Sequence, residues 1–138
     1  MVRHSCQRFL DLLRLRRLNR GDLFGLEMYQ VLADSLLTLN SHIDAAGAQA
    51  ANMRLFEATG MGTCLVTDWK QNLGSLFDLD REIVTYRNPA ECCEKIRFLI
   101  DHPATRNTIA KAGQVRTLKD HSLRAEVLRF DNFMLTQL

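Results

Sequence analysis

Three short runs of apolar and β-branched residues alternate with helix-like segments along this chain, and this alternation constrains the fold most strongly. The runs occupy residues 36–40, 63–67 and 82–86. Each run has the length of a strand, and the segments between them carry apolar residues at helical spacing. Strands that alternate with helices form parallel sheets with helices packed on both faces. The sequence therefore predicts an α/β fold with a short parallel sheet of about three strands flanked by helices.

Helical patterns fill the segments between these runs. One pattern begins at Asp22, a residue type that caps helices, and leads into the first run. A second pattern follows the first run and ends at Gly60 or Gly62, because glycine is the commonest residue just past a helix end. Residues 68–77 are expected to form a loop with one helical turn. The first run, in which three of the five residues are leucine, is expected to be a short buried strand.

The C-terminal third of the chain is predicted to be helical. Asn88, Pro89 and Glu91 mark a helix start, because Asn caps well, Pro suits the first helical position and an acid suits the third. Further helices are expected over residues 104–119 and from Ser122 onward. The buried face of the helix that Asn88 caps is predicted to consist of Cys92, Cys93, Ile96, Leu99 and Ile100.

Residues 1–21 differ in charge from the rest of the chain. Residues 1–20 contain six arginines and one acid, whereas the whole chain has a net charge of only +2. A net charge this small does not indicate a nucleic-acid-binding protein. The leucines among the arginines of residues 8–18 predict a basic amphipathic helix that ends at Gly21. Such a helix can dock on an anionic membrane surface or a partner, or it can pack on the domain that residues 22–138 are expected to form.

The cysteines and the hydropathy of the chain bear on its location. The four cysteines, Cys6, Cys64, Cys92 and Cys93, include no Cys-x-x-Cys pair, so no zinc site is predicted. The adjacent pair is typical of small apolar residues on a helix in a reducing compartment. No apolar stretch approaches the roughly 18 residues of a membrane span, and the first residues lack a signal-peptide core. We expect a cytoplasmic protein.

Two loops follow predicted strands at the edge where parallel sheets bind ligands. One runs from Asn40 to Asn52, and the other begins after Thr67. The first is the better candidate, because small residues around Gly47 expose backbone N–H groups and lead into a helix amino end, both suited to phosphate. Arg54 and Glu57 in that helix are spaced for a surface ion pair, and spacing alone favours that simpler interpretation.

Several other side chains are weaker candidates. His42 follows the first strand and suits an acid–base role or a structural role about equally. His102 and His121 lie beside helix ends, so structural roles are favoured for both. Trp69 can stack on a base or a sugar, or it can cover the sheet edge. Asp68 has no second acid in its loop, which argues against a metal site.

The stretch from Asn52 to Gly62 reads Asn-Met-Arg-Leu-Phe-Glu-Ala-Thr-Gly-Met-Gly and leads into the strand-like Thr-Cys-Leu-Val-Thr-Asp. It resembles the C-terminal, nucleotide-sugar-binding half of GT-B glycosyltransferases, of the CgeB-like (spore maturation protein) group. The resemblance spans about residues 25 to 130. It extends to the segments Leu36 to His42, Asp68 to Phe77, Glu82 to Tyr86 and Ala112 to His121. It implies a partial Rossmann-like domain that binds a nucleotide-diphosphate sugar.

The resemblance also implies roles for individual residues. Glu57 would accept hydrogen bonds from the ribose hydroxyls, since a carboxylate has acceptor capacity for two vicinal hydroxyls. Arg54 and the backbone after Gly47 would lie beside the diphosphate. Gln49 occupies a position where related enzymes often carry a second glutamate, on the side of the sugar. The full predicted substrate-binding set is Asn40, His42, Gly47, Gln49, Asn52, Arg54 and Glu57.

A complete GT-B enzyme has two Rossmann-like domains, and the acceptor half would precede this sequence. The resemblance therefore implies that residues 22–138 are an incomplete nucleotide-sugar domain, inactive in sugar transfer without its other half and needing neither metal nor cofactor. The alternative is a non-catalytic interaction module that docks on a partner, or a degenerate remnant of the same fold. Because its sheet would be incomplete, the chain is also expected to self-associate through the helix of residues 8–18 or to aggregate. A receiver-like signalling domain is disfavoured, because no acidic cluster accompanies the first strand.

Overall fold

The computed structural model describes residues 18–43 and 47–137. In this part of the chain, helices and strands alternate as the sequence predicts, and the α/β class is confirmed. Residues 8–17 of the predicted N-terminal helix lie outside the described residues. The elements in chain order are α1 (Gly25–Asp34), β1 (Leu37–Asn40), α2 (Arg54–Gly60), β2 (Cys64–Asp68), α3 (Leu73–Leu76), β3 (Val84–Tyr86), α4 (Pro89–Asp101), α5 (Pro103–Asp120) and α6 (Leu123–Thr136).

The three strands form one parallel sheet in the order β1-β2-β3. Thr67 of β2 pairs with Asn40 of β1 and with Thr85 of β3, so the carboxyl ends of all three strands lie at one edge. This is the partial Rossmann-like arrangement that the sequence predicts. Within the described residues, no helix has the length and the apolar character needed to span a membrane.

The core lies on both faces of the sheet because strand residues alternate between the faces. On one face, Leu65 of β2 packs with Leu55 of α2, Leu73 of α3 and neighbouring residues. On the other face, Cys64 and Val66 pack against residues of α4 and α5. β2 is covered on both sides, which explains why its side chains from Cys64 to Thr67 are all buried.

The first strand and first helix differ from their predictions. β1 is an edge strand in the described chain, and Leu36 and Leu39 are 63% and 58% exposed, so the prediction of a buried strand is wrong. An apolar run does not reveal whether a neighbouring element covers it. α1 begins at Gly25 rather than after Asp22, because the left-handed backbone of Gly25 prevents a right-handed helix from continuing through it from Asp22.

α4 begins where the sequence predicts, but only part of its predicted buried face is buried. The Asn88 side chain accepts a hydrogen bond from the Glu91 backbone N–H at 3.0 Å, which is the expected cap. Cys92 and Leu99 are buried, whereas Cys93 and Ile100 are exposed. Cys93 and Ile100 each follow a buried residue by one position, which turns them about 100° around the helix and away from the sheet. The covered stripe is therefore narrower than predicted.

Candidate functional site

Side chains from the ends of β1 and β2 are joined by hydrogen bonds at the carboxyl edge of the sheet. The Asn40 amide donates to the Thr67 hydroxyl at 3.0 Å, and the Asn52 amide donates to Asn40 Oδ1 at 3.0 Å. The Tyr86 hydroxyl donates to the Asn40 carbonyl at 3.0 Å, which adds β3 to the same group. The parallel register produces this arrangement, because it places Asn40 beside Thr67. Two predicted site residues, Asn40 and Asn52, are thus in direct contact.

His42 pairs with Asp68 at the same edge. His42 Nδ1 lies 2.7 Å from Asp68 Oδ1, and the His42 backbone N–H donates to the same oxygen at 2.9 Å. The His42 side chain is 1% exposed and that of Asp68 is 21% exposed. Burial alone would raise the pKa of Asp68, but the hydrogen bonds from His42, with the charge of Lys70 beside it, hold that pKa below its usual value. Asp68 is therefore ionised at neutral pH and fixes the position of the imidazole.

The loop between β1 and α2 is held to the chain that follows β2. The Lys70 ammonium donates to the Gly47 carbonyl at 2.8 Å, and the Asn72 side chain bonds both the N–H and the carbonyl of Ala50. The Lys70 ammonium also lies 3.5 Å from Asp68 Oδ2. Gly47 has a φ of +56°, a left-handed conformation that glycine adopts without strain. These bonds place a lysine charge at the predicted phosphate loop.

Arg54 and Glu57 form an ion pair on the first turn of α2, with Arg54 Nη1 3.3 Å from Glu57 Oε2. This is the contact that their spacing predicts. The Glu57 side chain is 17% exposed and borders a groove of about 510 Å³ that Tyr29 and His121 also line. The structure thus places this pair on α2, which begins two residues after Asn52. Gln49 is exposed on the loop.

Sequence reasoning missed several residues at this edge. Lys70 and Asn72 were not predicted as site residues. Both lie in the predicted loop after the second strand, and their position just after a strand end could have identified them. The Arg87 guanidinium carbon lies 4.2 Å from the centroid of the Trp69 ring, so in this structure Trp69 stacks on an arginine. Among the described residues, no three side chains of His, Cys, Asp or Glu converge on a common metal position.

The histidines at the helix ends, His102 and His121, make packing contacts. His102 Nδ1 lies 2.8 Å from the Phe98 carbonyl, and its ring stacks on Phe98. His121 lies between Phe56 and Phe77, and its Nε2 is 3.1 Å from the Leu76 carbonyl. His121 thereby joins the end of α5 to the core, whereas His102 contacts the exposed Phe98 within its own helix, and both contacts are structural.

The comparison with protein families gives one match. The profile described as "Glycosyl transferase-like" matches residues 5–131, which is more than nine tenths of the chain. The chain belongs to the glycosyl transferase-like family. No curated protein matches it significantly. The hydrogen-bonded group of Asn40, His42, Asn52, Asp68 and Lys70 therefore lies at the carboxyl edge of the sheet in a glycosyl transferase-like domain.

Proposed function

We propose that this glycosyl transferase-like domain binds a nucleotide-diphosphate sugar at the carboxyl edge of its sheet. The observation that carries the proposal is the hydrogen-bonded group in which the last residues of β1, β2 and β3 meet at that edge, together with His42 just after β1. Open parallel sheets bind their ligands in the crevice outside their strand carboxyl ends. Family membership adds the expected ligand class, because glycosyl transfer needs a sugar donor. We also propose that the protein is cytoplasmic.

Each part of the donor has a matching group in this proposal. Lys70 and Arg54 supply positive charge for the diphosphate, together with backbone N–H groups after Gly47. Glu57 takes the ribose hydroxyls, because its contact with Arg54 uses Oε2 and leaves further acceptor capacity on the carboxylate. Gln49 is exposed on the loop, where its amide is free to contact the sugar.

Calorimetry with UDP, GDP and dTDP tests the assignment of Glu57. Glu57→Ala should weaken binding of the preferred nucleotide by about 1–3 kcal/mol, the usual cost of losing a charge-assisted hydrogen bond. Glu94→Ala is the matched control, because Glu94 is an exposed carboxylate on α4 and lies outside the proposed site. If both variants bind the nucleotide equally well, Glu57 does not contact the nucleotide, and its role is limited to the ion pair with Arg54.

We further propose that sugar transfer requires a second domain. The groups assigned above all hold the donor, and none of them is placed to activate an acceptor. Positioning of two reactants contributes several kcal/mol to catalysis, which a domain that binds only the donor cannot supply. Purified chain is therefore expected to hydrolyse or transfer no sugar from UDP-glucose, UDP-N-acetylglucosamine or GDP-mannose. Turnover by homogeneous protein would contradict this proposal.

A second candidate function, a non-catalytic interaction module, is favoured by α6. This helix has no buried residue, and Phe130 and Phe133 are 65% and 58% exposed. Contiguous exposed apolar residues mark interaction sites in soluble proteins. The module would associate with a second copy or a partner domain through this helix, or through residues 8–18. Light scattering of the chain and of its Phe130→Glu, Phe133→Glu variant tests association with a second copy: a monomer in both cases would remove that form of the candidate.

A further inference from the structure

The last helix, α6, carries four apolar side chains in one row along its length. The row consists of Leu123, Val127, Phe130 and Met134, and we call it the apolar row of α6. Its spacings of four, three and four residues are those of the contact positions in a coiled coil. All four side chains are exposed, Leu123 even though it borders the groove beside α2. Ala125, the one residue of this fully described helix that is half-buried, lies on the opposite side, so the row faces away from the domain.

Two side chains of opposite charge lie along one flank of the apolar row. Arg124 and Asp131 are seven residues apart, which places them two helical turns, or about 10 Å, from each other on the same side of α6. Neither forms an ion pair with another described residue, whereas Glu126 and Arg129 of the same helix pair with each other at 3.1 Å. The flank therefore presents one positive and one negative charge to whatever packs on the row.

These charges distinguish the two orientations in which a second copy of α6 can pack on the row. In antiparallel packing about a two-fold axis, the flank meets the same flank of the other copy, so Arg124 of each copy faces Asp131 of the other. In parallel packing, the flank meets the opposite flank, which brings Glu126 of each copy to Asp131 of the other. Antiparallel packing thus gains two pairs of opposite charge, whereas parallel packing brings like charges together.

The charge of α6 also argues against two other occupants of the row. The helix carries two arginines and two acids, so it is neutral as a whole and offers no acidic surface to the six arginines of residues 1–20. Helices that lie on anionic membranes have polar faces rich in Lys and Arg, which α6 lacks. A second copy of the chain is the occupant whose charges match those of the flank.

We propose that two copies of this chain associate through the apolar rows of their α6 helices, packed antiparallel about a two-fold axis. Leu123 then lies beside Met134 of the other copy, and Val127 lies beside Phe130. This inference rests on the second candidate function, association with a second copy, and adds the surface, the orientation and the charge pairs. It does not depend on nucleotide-sugar binding. Because two helices of 14 residues form only a small contact, the dimer dissociates on dilution.

Analytical ultracentrifugation of the full chain in low-salt buffer measures the dissociation constant of the dimer. Arg124→Glu turns both charge pairs into like charges and should raise that constant about tenfold. An acid in the first turn of a helix suits the helix dipole, so weaker association cannot come from a weaker helix. Labelled Arg124→Glu chain mixed with Asp131→Arg chain should associate as tightly as the natural chain, because each variant supplies the charge that the other needs.

Two controls match these variants. Arg97→Glu makes the same change of charge at an exposed position of α4 and should leave the dissociation constant unchanged. Val127 and Leu128 are neighbours with 55% and 56% exposure, but only Val127 belongs to the apolar row. Val127→Gln should therefore raise the dissociation constant about tenfold, and Leu128→Gln should leave it near the natural value.

The inference is overturned if Arg124→Glu associates as tightly as the natural chain, or if mixing it with Asp131→Arg does not restore association. Equal effects of Val127→Gln and Leu128→Gln would also overturn it, because they would exclude a contact centred on the row. In these cases association through another surface still stands. If the natural chain is a monomer at every concentration, association with a second copy fails and this inference fails with it; a row covered by residues 8–17 or by a partner domain predicts that monomer.

Discussion

At the scale of residues, Asp68 organises the candidate site. Its carboxylate accepts hydrogen bonds from the backbone and ring of His42 and lies near the Lys70 ammonium. Its folded pKa lies below the usual value of an aspartate, about 3.9. A depressed carboxyl pKa adds stability that is complete above the unfolded pKa and is lost as the pH falls through the folded pKa. Asp68 should therefore contribute to stability at neutral pH and not in strong acid.

Asp68→Asn tests this contribution. At pH 7 the variant should unfold at lower urea concentration, with a loss of about 1–3 kcal/mol for a charge-assisted hydrogen bond. Below about pH 4 the difference from the natural chain should shrink, because this carboxyl is then protonated in the unfolded chain and, at lower pH, in the folded chain as well. Asp101→Asn is the control, since Asp101 is exposed at the end of α4 and has no ion pair among the described residues. A difference that stays constant from pH 7 to pH 3 would contradict the role given to Asp68.

At the scale of elements, the close approach of α5 to the chain before β3 depends on one glycine. A Cβ on Gly113 would overlap the backbone carbonyl oxygen of Glu82, which cannot move aside as a flexible side chain does. Gly113→Ala should therefore destabilise the domain by about 1–3 kcal/mol, the usual cost of overpacking. Gly74→Ala in α3 is the contrast, because a Cβ at that position would meet no other atom within 4 Å. Thermal unfolding that ranks the two variants in the reverse order would contradict this packing.

The caps of α4 and α6 allow a second comparison of elements. Asn88 and Ser122 both accept a hydrogen bond from a backbone N–H in the first turn of their helices. α4 packs on the sheet through Cys92 and Leu99, whereas α6 buries no residue. Asn88→Ala should cost about 1 kcal/mol of global stability, and Ser122→Ala should lower helicity with little effect on the unfolding midpoint. Urea unfolding measures the midpoint and circular dichroism measures the helicity of each variant. Equal shifts in the midpoint would contradict the expected difference between α4 and α6.

Local patterns predicted the elements well, and they predicted long-range contacts poorly. The cap at Asn88 and the Arg54–Glu57 pair could be predicted because each involves residues three positions apart. The contact of His42 with Asp68 joins residues 26 positions apart, so it depends on the register of β1 and β2. The exposure of Leu39 could not be predicted from the local pattern either, because it depends on which strand lies at the edge of the sheet.

At the scale of the whole molecule, the three-stranded sheet presents two edge strands in the described chain, β1 and β3. Short edges and covering helices normally protect such sheets from association with other chains. The exposed apolar residues of α6 add to this tendency. We therefore expect the purified chain to show concentration-dependent association, and light scattering across a dilution series measures it. A monomer at every concentration would contradict this expectation.

We propose above all that a nucleotide-diphosphate sugar binds at the carboxyl edge of this sheet. Amide resonances recorded by nuclear magnetic resonance during titration with UDP-glucose and GDP-mannose test it most directly. If the donor binds there, the largest shifts fall on residues 40–42, 47–57 and 68–72, where β1 and β2 end and α2 begins. Shifts confined to Leu37, Cys64 and the other residues at the amino ends of the strands, or no shift with either donor, would contradict it.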